Sequence, residues 1–147
     1  MRSVLAATDG SDSAERAVDF AAGLAKNCGA KLVLISTATL DSRFALDAGF
    51  KVMLQTEQIS VGEFLENEAK SVVSPAASRA EKIYGAKVAT IARAGEAVDT
   101  LIALAAEYDE PVIVVGRRGR SQLAGLLLGS VSQKLVTHAP CPVVVVP

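Results

Sequence analysis

The feature that most constrains this chain is an alternation of two periods. Short apolar runs fall at Arg2 to Thr8, Lys31 to Ala38, Ala86 to Ala92, Val112 to Val115 and Pro142 to Val146. Between them, apolar residues recur at helical spacing. The first helical stripe takes positions 14, 17, 18, 21, 24, 25 and 28 and stops before Gly29, with Asp12 and Glu15 spaced as a capping box. A second stripe begins around Ser60 and ends at Gly85; Pro75 inside it predicts a kink or a split near Ser74. Gly95 to Tyr108 forms a third, and Val131 to His138 has room for two further turns. Residues 39 to 57 show no clean period and read as a connection. The resulting pattern, βαβαβαβαβ, implies an α/β fold: a five-stranded parallel sheet with helices on both faces.

Right-handed crossovers leave two common strand orders, 3-2-1-4-5 and 2-1-3-4-5. Ligands in such sheets sit where the order reverses, beyond the carboxyl ends of the strands. Strand 1 ends in Asp9-Gly10-Ser11 and strand 4 in a stretch rich in glycine and arginine, whereas strand 3 ends in Arg93-Ala94-Gly95 without an acid. The equipped ends favour 3-2-1-4-5 and a site between Asp9 and Gly116.

Composition removes several function classes. At 147 residues the chain suits one domain, 1–147. Fifteen Lys and Arg against 16 Asp and Glu give a net charge of −1, without the basic excess of a nucleic-acid binder. Aromatic residues are 4% and Trp is absent, which also disfavours base-stacking on single strands. No apolar run approaches the roughly 20 residues of a membrane helix, so no membrane insertion is expected. Asp9 comes too early for a secretory leader, and a cytoplasmic location is the default. Cys28 and Cys141 have no metal or redox spacing.

The segment from Gly116 reads Gly-x2-Gly119-x9-Gly129-Ser130. Glycines let backbone N–H groups approach an anion, and Gly129-Ser130 stands where a helix begins, with its unpaired N–H groups and partial positive charge. Ser130 could cap that helix or donate to a phosphate oxygen. Arg117, Arg118 and Arg120 place three cations in the same stretch. The Asp9 carboxylate suits ribose hydroxyls or a phosphate-bound cation, and Thr37, near the end of strand 2, could offer backbone groups to a base. Taken singly, each of these is also an ordinary turn or cap residue. Their convergence on one crevice is what points to nucleotide or phosphate binding. Neither a Walker A loop nor a GxGxxG fingerprint occurs.

The stretches ATDGSDSAERAV and VIVVGRRGRSQLAGLLLGSVSQKLVTHAPCPVVVV resemble the universal stress protein family, over essentially the whole chain. The glycine motif is similar to that of the family's ATP-binding branch. The resemblance implies the 3-2-1-4-5 order and ATP, with Mg2+ or Mn2+ on the phosphates. It implies that Asp9 meets the ribose and that Ala7 and Thr37 line the adenine pocket. Gly116, Gly119, Gly129, Ser130 and Val131 would wrap ribose and phosphates, with Arg118 and Arg120 at loop positions that are often basic. It further implies a homodimer through strand 142–146, and a stress-response or signalling role. Pro75 departs from the family pattern, and 39–57 falls where the family varies.

Hydrolysis needs a positioned water and a base. His138 reads as a partner of its helix's C-terminal dipole and Cys141 as packing, which leaves no catalytic residue. The expectation is a nucleotide-dependent module with slow or no hydrolysis. The alternative is an adenylyl-transfer or ATP-hydrolysing enzyme of related build. Those enzymes carry Ser-Gly-Gly-x-Asp-Ser after strand 1, and the paired glycines are missing here. A phosphoacceptor receiver domain is set aside, because strand 3 ends without an aspartate.

Overall fold

The computed structural model describes residues 1–40, 47–119 and 128–147. Five strands form one parallel sheet in the order β3-β2-β1-β4-β5. They are β1 (Ser3–Ala7), β2 (Lys31–Ala38), β3 (Ala89–Ala94), β4 (Pro111–Gly116) and β5 (Val143–Val146). The helices are α1 (Asp12–Cys28), α2 (Ala48–Glu57), α3 (Val61–Tyr84), α4 (Ala97–Glu107) and α5 (Ser130–His138). The order is the one that the equipped strand ends favoured.

Alternation along the central strands supplies both cores. Val4 and Ala6 of β1, with Leu32 and Leu34 of β2, face α1 and α3. Leu5, Val33 and Ile35 point the other way and pack with Leu101, Leu104 and Leu135 of α4 and α5. Register is set by pairs such as Leu5 with Val33 and Leu5 with Ile113, so the strand ends bearing Asp9, Thr37 and Gly116 emerge on one edge.

Three local expectations change. The N-cap of α1 is Ser11, whose Oγ accepts from the Ala14 N–H at 3.3 Å, and Asp12 is already helical. The hydroxyl of Ser11 sits three residues before an orphan N–H, which is the geometry a cap requires. Residues 39–57 are not all connection, since α2 occupies Ala48–Glu57. Asp47 caps it by accepting from the Phe50 N–H at 2.9 Å. Finally, α3 runs as one helix through Pro75 instead of splitting near Ser74. Proline removes one backbone bond there. Val73 before it and Ala77 and Ala80 after it are buried in one core, so the helix is held on both sides of the proline.

Candidate functional site

The carboxyl edge of β1 is organised by short-range hydrogen bonds. The Thr8 N–H extends the ladder to the Ile35 carbonyl at 2.9 Å. The chain then turns through Gly10, whose φ of 79° lies in the left-handed region. Thr8 Oγ1 accepts from the Gly10 N–H at 3.2 Å, and Asp9 Oδ1 accepts from the Ser11 N–H at 3.0 Å. One Asp9 oxygen is thereby fixed to the turn.

The edge of β4 folds onto the same place. The Arg118 N–H donates to the Ser13 hydroxyl at 3.4 Å, joining β4 to the first turn of α1. Gly116 lies so close to Ser13 that a Cβ would stand 2.7 Å from its backbone. A Cβ on Gly119 would stand 2.6 Å from Asp9 Oδ2. The chain returns at Gly129, whose N–H donates to the Arg117 carbonyl at 2.7 Å. The Ser132 hydroxyl lies 3.0 Å from that carbonyl and 2.9 Å from the Gly129 carbonyl. Gly119 thus lies against Asp9, Gly116 and Arg118 against Ser13, and Gly129 against Arg117 and Gly119.

Ser130 is the first residue of α5 and is exposed; the N-cap is Gly129, and no side chain caps the helix. Of the two roles open to its hydroxyl, capping is therefore excluded. Val131 follows and packs against the core beneath α4 and α5, and so does Ala7. Arg117 is exposed and Arg118 half-buried, while Arg120 lies outside the described residues. Among the described residues, no group of three or more His, Cys, Asp or Glu side chains is placed to hold a metal ion.

Beside Asp9 opens a cleft of about 360 Å³. One wall is the end of β2 and the residues after it, including Ser36, Thr37 and Thr39. The other wall is the early part of α3, with Phe64, Leu65, Glu68 and Val72. Thr37 and Asp9 therefore meet in this cleft, whereas Ala7 lies below it. The α3 wall was not anticipated from the sequence. Its residues belong to a stripe that reads as core throughout, although its first turns extend past the sheet. The cleft presents the carboxylates of Asp9 and Glu68, which accept hydrogen bonds and repel phosphate. A ligand with a neutral ring system and a charged tail would place its rings here and its tail toward the glycines.

Neither His138 nor Cys141 lines the cleft. Burial pushes the Cys141 thiol up, so it is further from the reactive thiolate than an exposed cysteine. No helix among the described residues is long and apolar enough to cross a membrane.

The model of the universal stress protein family matches residues 1–147. The chain belongs to the universal stress protein family. A curated member, YxiE of Bacillus subtilis, is 31% identical over 97% of this chain and 97% of its own. Among solved structures, a universal stress protein in complex with cAMP is similar at a TM-score of 0.69 and 28% identity, covering 99% of this chain and 97% of the other. The universal stress protein of Archaeoglobus fulgidus in complex with dAMP is similar at a TM-score of 0.63 and 26% identity, covering 100% and 98%. The strand order of this universal stress protein is the arrangement described above, and two of its structural relatives hold adenine nucleotides.

Proposed function

We propose that this universal stress protein binds ATP and acts as a nucleotide-dependent stress-response or signalling module. The observation that carries the reading is the close approach of Gly119 to Asp9, with Gly129 packed on the same turn, beside a cleft of about 360 Å³. In this reading Asp9 takes the ribose hydroxyls and Thr37 borders the adenine. The N–H groups at Gly119, Ser130 and Val131 hold the phosphates, aided by Arg118 and Arg120, while Gly129, whose own N–H is engaged by the Arg117 carbonyl, leaves the approach free of a side chain. A magnesium or manganese ion would be held chiefly by phosphate oxygens, with Asp9 the nearby carboxylate. The relatives bound to cAMP and dAMP support the adenine part of the proposal. The triphosphate part rests on the reach of the glycine motif beyond the cleft.

Hydrolysis is proposed to be slow or absent. A homodimer through 142–146 completes the proposal. Arg16 on α1 holds the Pro147 carbonyl at 2.7 Å, and one turn further Phe20 is 46% exposed, which puts an apolar ring on the flank of that edge.

The test is isothermal calorimetry with ATP. A Cβ at Gly129 would stand 3.3 Å from the Arg117 carbonyl oxygen and from the Arg118 Cα, so valine must push the returning chain away from Arg117 and Arg118. Gly129→Val and Gly119→Val should weaken ATP by at least about tenfold, or 1.4 kcal/mol, with circular dichroism unchanged. Wild-type affinity in both folded variants would refute the glycine cradle.

A further inference from the structure

The nucleotide reading leaves one wall of the cleft without a role. On that wall the side chain with a flat face is Phe64, in the first turn of α3. Its neighbours there, Leu65 and Val72, are aliphatic. Phe64 is not a loose surface ring. Its centroid lies 5.0 Å from that of Phe50, with the planes at 77°, an edge-to-face pair. Phe50 is itself 8% exposed and sits on α2, a helix with no place in the alternating βα pattern. The Asp47 cap fixes the start of α2 at Phe50, and the Ser60–Glu63 capping box fixes the start of α3 just before Phe64. Two capped helix starts and a ring pair thus hold one aromatic ring on the cleft wall.

Building on the nucleotide proposal, we infer that Phe64 is the stacking surface for the nucleobase, and that Phe50 acts through it as a positioning residue. Stacking uses the π-face of the base, and the polar edge is left to the backbone at the end of β2. Nothing in the glycine motif supplies this contact. An aliphatic side chain at 64 would bury the base as well but would not match its flat face. Without Phe50 the Phe64 ring loses the edge-to-face partner that helps fix its orientation. The loss in Phe50 variants should therefore be in ordering the ring, without loss of any contact to ligand.

The chain has no tryptophan, so Phe64→Trp introduces a single indole in the cleft wall. A base stacked on it should quench its fluorescence, whereas inorganic tripolyphosphate, which has no ring, should not. By calorimetry on the full chain, Phe64→Ala should bind ATP about tenfold or more weakly, in line with the loss of one base–aromatic stack. Phe64→Tyr, which keeps the ring, should stay close to wild type. Phe50→Ala should weaken ATP by a smaller factor, and in a Phe50→Ala, Phe64→Trp double variant the ATP-induced quenching should shrink. Tripolyphosphate competition should be unchanged in both alanine variants. ATP affinity at the wild-type level in Phe64→Ala, or an indole signal in Phe64→Trp that does not move at saturating ATP, would overturn the inference while leaving the glycine cradle standing. A wild-type chain that binds no ATP or other adenine nucleotide would overturn the functional proposal and this inference with it.

Discussion

Gly116 is the motif glycine most tightly closed in by backbone. A Cβ there would meet the carbonyl carbon, carbonyl oxygen and hydroxyl of Ser13, each at 2.7 Å. Two of those atoms are backbone and cannot rotate away. Gly116→Ala should therefore cost about 1–3 kcal/mol of stability, as other overpacked sites do, and urea unfolding would measure it. At Gly119 the obstacle is the Asp9 carboxylate, which can swing, so Gly119→Ala should be milder in stability than Gly116→Ala. The glycine spacing was legible in the sequence because three such glycines, each ordinary alone, fall in one stretch together with Ser130 and the arginines. Phe64 was not. An apolar residue at helical spacing reads the same whether its turn faces the sheet or extends past it. Only the position of the strand end relative to α3 separates the two.

Element starts were legible where a capping residue stood beside a clear stripe and were missed where the stripe was short. Ser60 and Glu63 cap α3 reciprocally, at 3.1 Å and 2.7 Å. For α2 only the first of these bonds is possible, since Asp47 caps a start whose third residue is Phe50, followed by Met53 and Leu54 at helical spacing. That signal spans only two turns, and the unpatterned residues before it obscured it. Pro75 shows the opposite case: its signal for a split is overridden by burial on both sides, and the helix continues through it. The Ser60 backbone N–H, and then its hydroxyl, hold the Glu63 carboxyl below its ordinary value of 4.5. A carboxylate with a lowered folded-state pKa stabilises above its unfolded value, and that contribution fades as pH falls through the folded one. Glu63→Ala should thus melt earlier than wild type at neutral pH, and the two melting curves should converge under acid conditions below the usual glutamate range. A gap that stays constant from pH 7 to pH 3 would show that the carboxylate bond contributes nothing.

At the scale of the molecule, the strand order was legible because handedness left two candidates and only one brought chemistry to a shared edge. The sheet ends at β5, whose inner side is settled by bonds from the Ile113 N–H to the Pro142 carbonyl and from the Arg117 N–H to the Val146 carbonyl. Alternate residues of a parallel strand point their peptide groups the same way, so those of Val143 and Val145 face outward. Val145→Pro removes an outward N–H and leaves the bonds to β4 intact. If two copies join along this strand, the variant should sediment as a monomer and still bind ATP. A dimer unaffected by the change would place the contact elsewhere.

The helices on one side of the sheet meet largely through methyl groups. Ala17, Ala21, Ala22 and Ala25 of α1 share a core with Ala77 and Ala80 of α3, and all six are buried. Trimming such a seam removes little, since an alanine has almost nothing left to lose. Enlarging it is another matter: an added methyl must press α1 and α3 apart, and α3 is the helix whose early turns form a wall of the cleft. Growth mutations in this seam would therefore change the width of that cleft, and this chain would tolerate erosion of the interface more readily than expansion.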